Sequence, residues 1–237
     1  MTRMTESQPD LLEKFNKRFR AKKHLNLGVS ALLLLLGVSS FLFGLTLEPS
    51  VTVLRFMTVD GTLFTTAGAL AYIIINLVES RRTTELTSIP IYYIRLSAAV
   101  AEMVILTVVL ISHLPFSSES IPMFDRYDSF VMHVAIPPLM LFSFVINDAP
   151  IGKLKPGKIW HGTWFVSFYA VVILSLICSG TLEHSLIPYF FLDVTHNPLW
   201  LTLGAFVIVY GIAYFMSWIL SELNRRLSWL WYRGFSK

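Results

Sequence analysis

Six apolar runs, each approaching the ~20 residues that a helix needs to cross a bilayer, constrain this chain more than any other feature. They occupy residues 25–47, 54–78, 91–111, 126–147, 160–179 and 199–223. Hydrocarbon offers no water to a backbone N–H or C=O, so runs of this length must satisfy themselves as helices. The expected fold is all-α: a six-transmembrane-helix bundle over 25–226, preceded by a basic segment, 1–24, and followed by a short tail, 227–237. The longest connections, 112–125, 148–159 and 180–198, are too short for a separate domain. Only 14% of residues are charged, against about 25% in soluble domains, and the mean hydropathy is +0.63. The first run is longer than a signal-peptide core and lacks a clear cleavage site, which predicts that it stays as a span.

Charge gives the orientation. Of the 19 Lys and Arg residues, all but Arg55, Arg95 and Arg126 lie in 1–24, at Arg81-Arg82, at Lys153, Lys155 and Lys158, or at Arg225, Arg226, Arg233 and Lys237. With six spans these four regions share one side, and cytoplasmic loops carry the Lys/Arg excess, so both termini are expected in the cytoplasm. The 180–198 connection carries no Lys or Arg. Trp160, Trp164, Trp229, Trp231 and Tyr232 fit an inner aromatic belt and Trp200 an outer one. Basic residues clustered between apolar runs are not a nucleic-acid footprint, and the expected partner is the bilayer. Nothing in the sequence sets an oligomeric state.

Two smaller features need a reading. Leu11, Phe15 and Phe19 recur every four residues, so 9–23 is either an amphipathic helix lying on the anionic leaflet or a solvated basic tail. One cysteine, Cys178, excludes an intrachain disulfide and a Cys-based zinc site. Its apolar surroundings predict a buried, inert thiol.

The fourth run, Arg126-Tyr-Asp-Ser-Phe-Val-Met-His133-Val-Ala-Ile-Pro-Pro138, buries one histidine roughly 10 Å, about two turns, below its charged start. An ionisable group in hydrocarbon faces a bundle interior or a wet cavity, which makes His133 a functional-site candidate. The second run opens with Arg55-Phe-Met-Thr58-Val-Asp60-Gly-Thr62. Arg55, Thr58, Thr62 and Thr65 share one helical face, and Asp60 points about 160° away from Thr62. Thr58 and His133 are expected at similar depth. A hydroxyl beside a histidine is the minimum for an activated nucleophile. The alternative is that Thr58 bonds its own i−4 carbonyl and His133 is a packing contact.

Glu102 lies mid-membrane on the third run, with Arg95 two turns nearer the cytoplasm. It either orients His133 or pairs with Arg95 or another buried polar group. Asn76 is expected to bond between helices. Other chemistries lack their residues. No mid-helix lysine exists for a Schiff base, and no Gly-x-Ser-x-Gly, His-Glu-x-x-His or Gly-rich phosphate loop occurs. A haem between His113 and His133 is the one cofactor arrangement the residues permit. The expectation is no cofactor and no metal. Pro188-Tyr-Phe-Phe-Leu-Asp193 is expected to cap the bundle or re-enter the bilayer edge.

Four motifs carry a resemblance: Arg55-Phe-Met-Thr58, Met132-His133-Val-Ala-Ile-Pro137, Ile187-Pro-Tyr-Phe-Phe-Leu-Asp193 and Ser221-Glu-Leu-Asn224. In this order over roughly 25–226, the chain resembles the androgen-induced family of multi-span membrane hydrolases and its bacterial six-helix relatives. The resemblance implies a bacterial cell membrane and hydrolysis of fatty acid esters of hydroxy fatty acids or related acyl esters. Thr58 would be the nucleophile and His133 the base. The motif does not extend to Asp60, and Glu102 has no counterpart in that pattern. Arg55 and Thr62 are the nearest donors for a developing oxyanion; Glu102 and Arg95 are further supporting candidates. Acyl transfer through Cys178 is a variant that needs a thiolate, which apolar surroundings disfavour. The other class of function is a small-solute or proton-coupled transporter, or a structural membrane protein, in which Arg95, Glu102 and His133 form a polar network. Inverted repeats and paired broken helices, the marks of many transporters, are absent from the sequence.

Overall fold

The computed structural model describes residues 8–47, 51–79, 89–110, 126–148, 155–194 and 196–233. Among them there is no strand, and six helices are long and apolar enough to cross a membrane. Helix α1 is Gln8–Leu47, α2 is Met57–Glu79, and α3 is Ile89–Val108. Helix α4 runs through four consecutive segments: Tyr127–Phe130, Val131–Ala135, Ile136–Phe142 and Ser143–Asn147. Helix α5 is Trp164–Cys178, entered through a short turn of helix at Pro156–Ile159 and a 3₁₀ turn at Trp160–Thr163. Helix α6 is Leu199–Arg233. Alternation of direction sets the start of α1 and the end of α6 at one end of the bundle, here the terminal end. The 180–198 connection marks the other, the loop end.

Helix α3 is the axis: 72% of its apolar window is buried, against 17% for α6. Ala98, Ala99 and Ala101 are fully covered. Small side chains let neighbouring backbones approach where no hydrophobic drive separates protein from lipid. The same logic appears between α1 and α2. A Cβ built on Gly37 would lie 1.8 Å from Thr66 Oγ1, so only glycine permits that contact.

The second and fourth segments of α4 are π-helical, and the sequence gives the reason for the first. Pro137 and Pro138 lack N–H groups, so they cannot bond the carbonyls of His133 and Val134 as an α-helix requires. Just ahead of them, Ile136 N–H reaches Val131 O, five residues back, rather than Met132 O. Such π-turns are rare and frequent at functional sites. This one carries His133. The second ends with Asp148 N–H donating to Ser143 O at 3.2 Å.

That second turn aims Ser143 and Asp148 into a buried polar cluster at the terminal end. Arg95 Nε donates to Asp148 Oδ2 at 2.6 Å, with both side chains at 0% exposure. Arg95 Nη2 donates to Ser143 Oγ at 2.5 Å and to Asn26 Oδ1 at 3.4 Å, while Nη1 reaches Ser30 Oγ at 3.4 Å. Asn26 Nδ2 donates to Asp148 Oδ1 at 2.7 Å, and Ser143 Oγ donates to Asn26 Oδ1. The guanidinium lies 4.4 Å from the Tyr72 ring centroid. From α6, Asn224 Nδ2 donates to Asp148 O at 2.8 Å and to Phe144 O at 2.9 Å, capping the end of α4. A charge inside a membrane domain must be paired and hydrogen-bonded, and this cluster does both with residues from α1, α3, α4 and α6.

Several expectations change. Arg95 pairs with Asp148 rather than Glu102, because Asp148 is drawn inward at the end of α4. Arg55 is not on the α2 face; it closes a 3₁₀ turn, Val51–Arg55, ahead of the helix. The 9–23 region is continuous with the first span instead of a separate helix along the leaflet. The sixth helix runs ten residues past the expected 223, to Arg233. Asn76 Nδ2 bonds Tyr72 O at 2.8 Å within its own helix, not a neighbour. Cys178 is exposed, because it falls on the last residue of α5. His113 lies outside the described residues.

Candidate functional site

At the loop end, the residues singled out at Thr58 and His133 face one cavity of about 130 Å³. Met57 and Thr58 enter it from the first turn of α2, and His133 from the π-turn of α4. Val104, Ile105, Val108 and Val109 line it from α3 and its end, Ile173 from α5, and Phe206 and Val209 from α6. Apart from Thr58, His133 and the hydroxyls of Tyr169, Tyr189 and Tyr210, its described lining is apolar. An apolar cavity of ~150 Å³ holds a benzene-sized guest and stays dry without one. A volume of this size has room for a segment of an apolar chain but not for a whole lipid.

The chemistry of His133 is set by its own helix. Nδ1 lies 2.8 Å from Ser129 O and 3.3 Å from Ser129 Oγ. A carbonyl only accepts, so Nδ1 carries the proton and the neutral ring has its lone pair on Nε2. A hydrogen bond to the far nitrogen fixes the tautomer, and here the partner is a backbone carbonyl instead of a carboxylate. Glu102 does not orient this histidine. Its Oε1 accepts from Thr65 Oγ1 at 2.7 Å, deep between α2 and α3.

Among the described residues, Thr58 and His133 make no direct hydrogen bond, and Thr58 does not bond the carbonyl of Leu54. The pair shares a cavity without a hydrogen bond between the two side chains. Catalytic hydrogen bonds are often long before substrate binds, so this spacing is compatible with either role. Neither expected oxyanion donor lines the cavity. Arg55 lies over the Phe56 ring at 4.7 Å, and Thr62 is fully buried between helices.

The aromatic connection supplies what the helices do not. Tyr189, Phe191 and Leu192 line the cavity from the 180–198 connection. Tyr189 and Phe191 stack with centroids 5.5 Å apart, and Thr202 Oγ1 holds Phe191 O at 2.7 Å. Burial pushes the Tyr189 phenol up to about 12, moderated by the backbone N–H of Met57. Tyr189 thus lines the same cavity as Met57 and Thr58. Two other hydroxyls are committed elsewhere: Tyr169 donates to Arg55 O at 2.7 Å, and Tyr210 bonds Ser167 Oγ at 2.6 Å.

Asp60 is half-buried on α2 and does not line the cavity. Among the described residues, no group of three or more His, Cys, Asp and Glu side chains is placed to hold a metal ion. No protein-family model, curated protein or solved structure matches the chain. What the site does must follow from its own chemistry.

Proposed function

We propose that this protein is an intramembrane hydrolase of lipid esters, with Thr58 as nucleophile and His133 as base. The observation that supports it is the placement of a hydroxyl and a tautomer-fixed histidine on one otherwise apolar cavity. The resemblance of the four motifs to the androgen-induced hydrolases points the same way. Fatty acid esters of hydroxy fatty acids, or related acyl esters, are the substrate class. The ester end and a few methylenes enter the cavity while the remaining chain stays in the bilayer.

His133 Nε2 takes the Thr58 proton as Thr58 Oγ attacks the ester carbonyl. The ester C–O bond breaks, and the departing alkoxide receives that proton. Water then attacks the acyl-threonine carbonyl, gives a proton to His133, and releases the fatty acid as the proton returns to Thr58. The oxyanion at each stage faces the Tyr189 hydroxyl and the first turn of α2, whose dipole favours negative charge.

The Lys/Arg distribution supports a cytoplasmic terminal end, with the cavity in the outer half of the membrane, and the motif resemblance supports a bacterial cell membrane. A fluorophosphonate probe in isolated membranes tests the assignment. Covalent label on Thr58, lost in His133→Ala, is the expected result; an unlabelled Thr58 in folded protein removes the nucleophile.

A further inference from the structure

Thr62 Oγ1 and Glu102 Oε2 are buried atoms with no hydrogen-bond partner among the described residues, and both side chains are fully covered. Buried polar atoms in folded proteins are nearly always satisfied, by protein or by ordered water. Two unmet atoms on facing helices mark a place that suits a small polar guest.

Their position relates them to the cavity. Thr58, Thr62 and Thr65 follow i, i+4, i+7 and so form one row along α2. The row begins in the cavity at Thr58 and ends at Thr65, whose hydroxyl donates to Glu102 Oε1 at 2.7 Å. On α3, Ile105 stands one turn beyond Glu102 and lines the cavity. A Cβ on Gly61 would lie 2.6 Å from Ile105 Cδ1, so that methyl touches the α2 backbone beside Thr62. Ile105 thus both lines the cavity and packs on the α2 backbone beside Thr62.

Hydrolysis at Thr58 needs water, and a lining of Val, Ile, Leu and Phe gives water few partners. A water molecule between Thr62 and Glu102 has a hydroxyl and a carboxyl to bond, with Thr65 holding the carboxyl in place. We propose that Thr62, Thr65 and Glu102 form a buried water-binding site that supplies the hydrolytic water to the acyl-enzyme. The proposal rests on Thr58 being the nucleophile. In the step concerned, the water oxygen bonds the acyl carbon, the bond from that carbon to Thr58 Oγ breaks, and the water proton passes through His133 to Thr58. Thr62 and Glu102 are positioning residues here; they touch the water and not the ester.

The test separates acylation from deacylation in the purified full chain, with a long-chain 4-nitrophenyl ester as probe. Acylation appears as a burst of nitrophenol and deacylation as the steady-state rate. Thr62→Val is expected to keep the parental burst and slow the steady state about tenfold or more, with acyl-Thr58 accumulating by mass spectrometry. Thr62→Ser, which keeps the hydroxyl, should restore turnover. An unchanged steady state in Thr62→Val overturns the water site, and so does an equal loss of burst and turnover. If Thr62→Val does not fold, Glu102→Met, of similar size, is judged by the same criteria. Absence of any burst or acyl-Thr58 in the parental protein is a different failure, and it removes the nucleophile instead.

Discussion

Arg95 and Asp148 meet at 2.6 Å with no exposed surface on either side chain, 53 residues apart in sequence and on different helices. Asn26, Ser30 and Ser143 satisfy the rest of the guanidinium, so the pair closes α1, α3 and α4 at one end.

Removing one partner leaves a bare buried charge. Asp148→Ala and Arg95→Leu should each destabilise the bundle by ~3–5 kcal/mol, the usual cost of breaking a buried pair. The double replacement should recover part of the loss. Thermal unfolding of the four proteins in detergent measures this; strict additivity would show that the two charges are independent.

Thr58→Ala and His133→Ala should each abolish ester hydrolysis, and the double mutant should be no worse, since residues acting as a unit are non-additive. Thr58→Ser should keep some activity, and Thr58→Val, which keeps shape without the hydroxyl, should lose it. Melting temperatures near the parental value exclude unfolding as the cause. Parental rates in Thr58→Val would end the hydrolase assignment.

Tyr189→Phe keeps the stack on Phe191 and removes a hydroxyl from the residues that line the cavity. Its kcat should fall by ~10²-fold or more if that hydroxyl meets the oxyanion, with KM little changed. The phenol adds a pH signature. It ionises near 10.0 when unfolded but near about 12 when native. The native state therefore binds more protons between those values, and stability falls as pH rises through that window. Tyr189→Phe should flatten the fall.

Cys178, the single cysteine, ends α5 with its side chain exposed. In the proposed orientation a membrane-impermeant maleimide should label it in intact cells without lysis. Labelling that appears only after permeabilisation would reverse the orientation.

Residue types and their order along the chain determined the class of object. Apolar runs of spanning length admit helices alone, and the six runs reappear within six helices, of which the first begins well before its run and the last ends ten residues after it. The sequence also singled out Thr58 and His133, because polar side chains inside such runs are few and each is costly. Pro137 and Pro138 determined the π-turn that carries His133, although periodicity alone reads that stretch as regular helix. What only tertiary structure decided was pairing. Arg95 is two turns from Glu102 on one helix, but ion pairing follows distance in space, and Asp148 arrives from another helix after the second π-turn. Asn26 and Ser143 look unremarkable in sequence because their hydrogen bonds cross between helices, and Asn224 stands out there only as part of a motif, not as a cap on α4. Tyr189 gained its place for the same reason: a loop residue carries no periodicity, and only the packed bundle brings it to the cavity that Thr58 lines.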